Sequence, residues 1–297
     1  MKILNSFNNK NIYQSFIKKN KFRSFHQKTQ TNQIIKINSF VDIFKDINKF
    51  NSKDLVCFSG DVLITSQERI AKEENLSFLR DEIRNRLPNK SEQSAVGLNL
   101  TIDSYVKIVY SKAKDKILHP STLILNQHLN EKRIKNLAAS ELNRLPYAPL
   151  SERLERELKR LNNCGFHFKD HFQFVSPKSI KHCQFKDGLL GSYKVPMGIS
   201  LSNLIKITKM DSSKVILIDN CFYSACNFSS TMENLGINSL VYCIEEKKQE
   251  EDVSENPIIH LQIEHLVKNE ELLSESEIIS IFNRNFSEVK TNRHYIY

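Results

Sequence analysis

Three short apolar runs in this 297-residue chain each end in polar side chains able to hold a ligand. Leu55-Val56-Cys57-Phe58 runs into Ser59-Gly60-Asp61, Thr122-Leu123-Ile124-Leu125 into Asn126, and Val215-Ile216-Leu217-Ile218 into Asp219-Asn220. Any chemistry therefore falls to two carboxylates (Asp61 and Asp219), one hydroxyl and two amides. Each has a plainer reading. Asp219 would cap the turn after its strand, Asp61 would be a turn residue beside Gly60, and Asn126 with Gln127 would satisfy exposed strand-end backbone groups.

A second constellation is Cys164, His167, His171, His182 and Cys183, in which Cys-x-x-His followed by x-x-x-His suggests zinc. The pattern lacks a second spaced pair, and Cys183 directly follows His182, an awkward geometry for tetrahedral ligation. Phe166-His167-Phe168 alternates as a strand does. A mixed aromatic and histidine packing surface is the reading adopted.

Elements must position these groups. A strand is expected from Ile34, then a helix starting near Ser39. Helices are expected over Gln67–Arg86 and Ile102–Lys116, separated by a loop holding Pro88, Asn89 and Lys90. A helix over Glu131–Arg144 and a charged helix over Ser151–Leu161 follow, the latter read as a solvated face. Next come the alternating segment Phe166–Val175, a hairpin around Asp187-Gly188, a helix over Leu201–Met210, a helix covering Thr231–Leu235 and a strand over Leu240–Ile244. Ser274 and Glu277 have capping-box spacing before a last helix ending near Val289. Short apolar strands followed by polar ends and helices describe a parallel α/β sheet, whose ligands bind at the carboxyl ends of the strands.

The chain is long enough for one large domain or a core with an insertion. Forty per cent hydrophobic and 26% charged residues suit a globular protein and exclude fibrous and disordered classes. No apolar stretch approaches the roughly 18 residues of a membrane span. Six cysteines without a Cys-x-x-Cys pair read as free thiols in a reducing compartment. The net charge of +9 is an end effect: eight lysines and arginines and no acid lie between Met1 and Val41, and removing them leaves +1. No nucleic-acid footprint is therefore expected for the body. Residues 1–33 read as a basic flexible tail; the stretch Asn11–Lys28 has the alternative of a basic amphipathic targeting or surface-binding helix. The expected location is cytoplasmic, or export to a host cell without a classical signal peptide.

The segment Lys214–Ile237, "KVILIDNCFYSACNFSSTMENLGI", resembles the last catalytic motif of haloacid dehalogenase-like phosphatases. Read with "LVCFSGDVLIT" and "LILNQHL", the chain is similar to an uncharacterised branch of that superfamily found in bacteria living inside host cells. The resemblance implies a Rossmann-like three-layer parallel sheet, with core residues 34–65 and 119–297 and a helical cap inserted at 66–118. The cap and the cleft beneath it would be the home of any binding function. Enzymes of the superfamily use a first Asp as nucleophile, a second Asp two residues on as acid/base, a Thr or Ser and a Lys on the phosphoryl oxygens, and late acidic residues on Mg²⁺.

Carried over, these roles fit imperfectly. With one residue deleted, Ser59 stands at the nucleophile and Asp61 at the acid/base; without the deletion, Asp61 is the nucleophile and Leu63 replaces the acid/base. Asn126 takes the Thr/Ser position. Met197 takes that of the lysine, with Lys194 three residues earlier. Phosphate-binding candidates are thus Ser59, Asn126 and Lys194, and Mg²⁺ candidates Asp61, Asp219 and Asn220. Because groups that act as a unit fail as a unit, the expectation is a pseudophosphatase that binds a protein partner or a small phosphorylated ligand. The alternative is a weak Mg²⁺-dependent phosphohydrolase using Asp61 and Asp219.

Overall fold

The structure is a computed structural model that describes residues 32–72, 75–88, 93–142, 148–168, 172, 178–180, 183–193, 195–244 and 253–281. Residues 1–31 of the basic tail, with Lys194, His171 and His182, lie outside the described residues, and Gln33, expected as the tail's last residue, is the first of a strand.

Ten strands and nine complete α-helices are described, and a further helix begins at Glu275. The strands are β1 (Gln33–Ile37), β2 (Leu55–Ser59), β3 (Ile64–Ser66), β4 (Asp115–Ile117), β5 (Lys135–Glu141), β6 (Lys178–Ile180), β7 (Cys183–Lys186), β8 (Leu189–Ser192), β9 (Val215–Asp219) and β10 (Ser239–Ile244). The helices are α1 (Val41–Asp46), α2 (Gly60–Leu63), α3 (Leu76–Arg86), α4 (Ala95–Lys112), α5 (Pro120–Glu131), α6 (Leu150–Asn163), α7 (Met197–Thr208), α8 (Phe222–Asn234) and α9 (Pro257–Asn269).

Eight strands form one sheet in the order β1-β10-β9-β2-β5-β8-β7-β6. The first six pair in parallel, and β8-β7-β6 continue antiparallel. The β7–β8 hairpin turns at Asp187 and Gly188, both at positive φ, as the Asp-Gly dipeptide leads one to expect.

Alternate side chains along the central strands enter opposite cores, as a period of two requires. Val56 and Phe58 of β2 and Ile216 and Ile218 of β9 pack with Ile43, Leu125, Leu129 and Leu158, from α1, α5 and α6. Leu55, Cys57, Val215 and Leu217 pack on the other face with Leu201, Leu204, Phe228 and Met232, from α7 and α8. The result is a three-layer α/β fold with a mostly parallel sheet.

The sequence between β2 and β5 departs from expectation. Thr122–Leu125, expected as a strand, lies in helix α5, and Glu131–Arg144, expected as a helix, contains strand β5. The buried positions of α5 are Thr122, Leu125, Asn126 and Leu129, a three–four spacing that also presents four apolar-looking residues in a row. Pro120 starts that helix. In β5, the sequence Lys-Asn-Leu-Ala-Ala-Ser-Glu has helical composition, but pairing with β2 and β8 on both sides overrides it. Phe166–Phe168, expected as strand-like, form no strand.

β3 and β4 form a separate antiparallel ribbon, and the intervening residues leave and re-enter through it. Their helices α3 and α4 bury Leu79, Ile83, Ile102 and Val106 against Ile259, Ile263 and Leu266 of α9. The C-terminal segment is thus built into the insertion's core. Arg69 and Glu275 lock the two at 2.6 Å, and Ser274 and Glu277 close a reciprocal capping box at the start of the next helix.

Candidate functional site

The centre of the sheet puts β2 between β5 and β9, so the carboxyl ends of three parallel strands lie side by side, where sheets of this kind place a ligand crevice. β2 ends in Ser59, 5% exposed and extended, and the chain turns at once into the single-turn helix α2. The Ser59 hydroxyl caps nothing in that helix.

Gly60 allows the next approach. A β-carbon there would lie 2.9 Å from Ser140 Oγ and 3.1 Å from Ser140 Cβ, so the absence of a side chain lets β5 close on the turn. Ser140 is the penultimate residue of β5. Its hydroxyl, half-buried, makes no hydrogen bond among the described residues.

Asp61 sits in the first turn of α2 with an exposed side chain. Its main-chain carbonyl accepts a hydrogen bond from Asn220 Nδ2 at 3.3 Å, which ties the β2 turn to the β9 end.

Asp219 closes the crevice. It is 2% exposed, and its Oδ1 accepts from the Cys221 main-chain N–H at 3.0 Å. That bond is the turn-capping role expected of a strand-end aspartate. The other oxygen, Oδ2, is buried without a hydrogen-bond partner, so capping accounts for only half of the carboxylate. Burial pushes its pKa above the ordinary carboxylate range; the Ser224 hydroxyl and the Cys221 and Asn220 amides pull the other way. In the middle of β2, burial raises the Cys57 thiol, and the nearby Asp219 charge raises it further. A thiol held up in this way is no nucleophile.

Asn126 does not belong to this crevice. Helix α5 carries it into the interior, where Nδ2 donates to Asn136 Oδ1 at 2.8 Å and to the His167 carbonyl at 3.3 Å. Its Oδ1 accepts from the His167 N–H at 3.3 Å. The side chain clamps a loop and has no capacity left for phosphate. The strand-end hydroxyl is supplied instead by Ser140, which sequence reading missed because a helix was expected there. A signal existed in Leu137-Ala138-Ala139-Ser140, an apolar run ending in a hydroxyl.

Met197 begins α7, half-buried, after Pro196. Lys194 lies outside the described residues. Of the cysteine–histidine group, Cys183 is buried in β7 against the Ser200 hydroxyl at 3.0 Å. Phe166 and Phe168 stack at 6.1 Å beside His167. Among the described residues no group of three or more His, Cys, Asp or Glu side chains could hold a metal ion.

Beside Ser140 a cavity of about 370 Å³ opens between the ribbon, the end of β5 and α6. Helix α6 was expected to be a solvated charged face, yet it buries Arg153 and Glu157 along with Leu154, Leu158 and Leu161. No described helix is long and apolar enough to cross a membrane.

Residues 36–278, most of the chain, match a family described as "Protein of unknown function (DUF2608)". Neither the curated proteins nor the solved structures contain a match.

Proposed function

The chain belongs to the DUF2608 family, and we propose that it is a haloacid dehalogenase-like phosphatase-fold protein that has lost catalysis and works by binding. The observation that carries this reading is Ser59: the last residue of the central strand, where the resemblance expects the nucleophilic aspartate, is a buried serine. A serine there cannot form an acyl phosphate, and it adds no charge to hold a cation.

The local geometry favours the alignment that places Asp61 at the acid/base position. Asp61 then falls on the one-turn helix with its side chain exposed, whereas Leu63, which the other alignment requires as acid/base, is fully buried. Ser140 supplies the hydroxyl for phosphoryl oxygens that Asn126 does not. The groups lost are therefore the nucleophile and, at Met197, the lysine. Ligand-holding groups outnumber reactive ones, as befits a binding protein. The residues framed by β3 and β4, 67–114, serve in this reading as the cap over the crevice, with α9 as its brace.

A second reading, a weak Mg²⁺-dependent phosphohydrolase, is favoured by one observation: the orphaned Oδ2 of Asp219. Mg²⁺ takes oxygen ligands, usually one or two carboxylates completed by water and substrate phosphate. Asp219 and Asn220 fit that donor chemistry, and the Asn220 contact to the Asp61 carbonyl keeps Asp61 at the same strand ends. A bound ion would supply neutralisation of phosphoryl charge, while the chain's own part would be Asp61 as proton donor and Ser140 as phosphoryl-oxygen donor.

Assay of a small phosphomonoester, with and without Mg²⁺, separates the two. The pseudophosphatase reading expects no Mg²⁺-dependent release of phosphate above background. Mg²⁺-dependent release that is lost when the proton donor is removed in Asp61→Asn would overturn it.

A further inference from the structure

The cavity beside Ser140 contains a charge that the protein does not neutralise. Arg153 is 8% exposed and lines the cavity wall from the first turn of α6. Its Nη1 donates to the Leu142 carbonyl at 2.5 Å, and its guanidinium lies 4.2 Å from the centre of the Tyr193 ring. Its Nε is buried with no hydrogen-bond partner. Among the described residues no carboxylate makes an ion pair with it. Asp103, whose charge acts on Arg153, is itself bonded to Arg80.

Arginine does not deprotonate to escape burial. A buried cation without a counter-charge costs stability unless something external completes it. Three acids share the lining, of which Glu141 is exposed and the other two are engaged by another arginine. Asp115 and Glu157 are both held by Arg160, at 2.6 and 2.7 Å, and Arg156 is paired with Glu152 at 2.9 Å. Arg153 is the buried cation of the lining, and among the described residues it has no acid of its own. The volume is at the lower end of the roughly 300–1,000 Å³ of small-molecule sites.

We propose that this cavity is an anion subsite: Arg153 receives the phosphate or carboxylate group of a small acidic molecule, with the unspent Ser140 hydroxyl beside it. Planar guanidinium geometry matches either oxyanion through paired N–H donors. The inference deepens the reading of a phosphoryl-binding crevice and rests on it only for phosphate as the first probe. Its chemistry requires no turnover.

The test is calorimetric titration of the full chain at fixed ionic strength with inorganic phosphate, glycerol 3-phosphate and succinate, for wild type, Arg153→Gln and Asp219→Asn. The phosphate and carboxylate probes separate the two sources of the anion. Saturable binding of at least one probe is expected for wild type. Losing charged hydrogen bonds should weaken it about 10- to 100-fold in R153Q. R153Q binding at wild-type affinity would overturn the subsite, as would no saturable binding of any probe to wild type. If R153Q does not fold, Arg153→Lys keeps the charge and loses the fork, and the same criterion applies to it. D219N reports separately on the strand-end crevice: an affinity that rises in D219N, where a buried carboxylate no longer repels the anion, and is unchanged in R153Q would place the anion there and refute the subsite while leaving the phosphatase-fold reading intact.

Discussion

The hydroxyl of Ser140 occupies the space that a β-carbon on Gly60 would need: the two would be 2.9 Å apart. The ends of β2 and β5 are therefore matched to one another at the point where the site forms. Gly60→Ala should destabilise the fold by about 1–3 kcal/mol, the usual cost of forcing a methyl into a filled space. Ser140→Gly should restore most of that loss in the double variant, because the next atom, the Ala139 carbonyl oxygen, is 3.6 Å away. Urea denaturation of the four proteins in a double-mutant cycle measures it. Additive losses would show that the contact does not limit the turn.

Asp219 predicts a pH dependence. Burial raises its pKa in the folded protein above the unfolded value. Its contribution to stability is therefore complete below the unfolded pKa and falls as pH rises through the folded one. Asp219→Asn keeps an acceptor for the Cys221 N–H and removes the buried charge, so it should gain about 1 kcal/mol at neutral pH. Thermal unfolding from acid to neutral pH compares the two proteins. A D219N variant less stable than wild type at neutral pH would mean that the carboxylate is satisfied by a bound cation.

Asn126 predicts a structural effect without a ligand effect. Asn126→Leu strands the Asn136 amide oxygen and the His167 main-chain N–H, while the His167 carbonyl keeps Asn130, and should cost about 1–3 kcal/mol. Anion affinity, measured by calorimetry, should stay within about twofold, well under the tenfold that 1.4 kcal/mol represents. A larger loss would restore Asn126 to the site.

The C-terminal segment should come away from the insertion first in acid. Arg69 holds the Glu275 carboxyl below its ordinary range, against the effect of burial. A depressed carboxylate contributes stability above its unfolded pKa and loses it as pH falls through the folded value. Hydrogen exchange of α9 should therefore accelerate as pH falls below the ordinary glutamate range, after correction for intrinsic rates. Glu275→Gln should show that faster exchange at neutral pH, with a loss of about 1 kcal/mol. Exchange in α9 unchanged by E275Q would show that its apolar contacts alone hold the segment.

The sequence was most legible where composition and period agree. β2 and β9 are fully buried Val/Ile/Leu-rich runs closed by polar residues, and both formed where their pattern placed them. The Asp187-Gly188 hairpin followed from backbone conformation alone. Between them, local and tertiary preferences diverged. Thr122–Leu125 is an apolar tetrapeptide compatible with strand or helix, whereas Leu137–Ser140 has helical composition yet is flanked by strands that only the folded chain brings together. That exchange hid Ser140 and promoted Asn126. Arg153 was hidden differently: within Ser-Glu-Arg-Leu-Glu-Arg-Glu, nothing local distinguishes the arginine that faces a cavity from those that face water. The role of α9 as part of the insertion's core was equally invisible, because its partners precede it by more than 150 residues.

The central claim, a retained phosphoryl-binding crevice without its reaction, is tested most directly by phosphomonoesterase assay of wild type and Asp61→Asn over a Mg²⁺ titration. No Mg²⁺-dependent turnover above background is expected, and no difference between the two proteins. Turnover by wild type that D61N abolishes would contradict it.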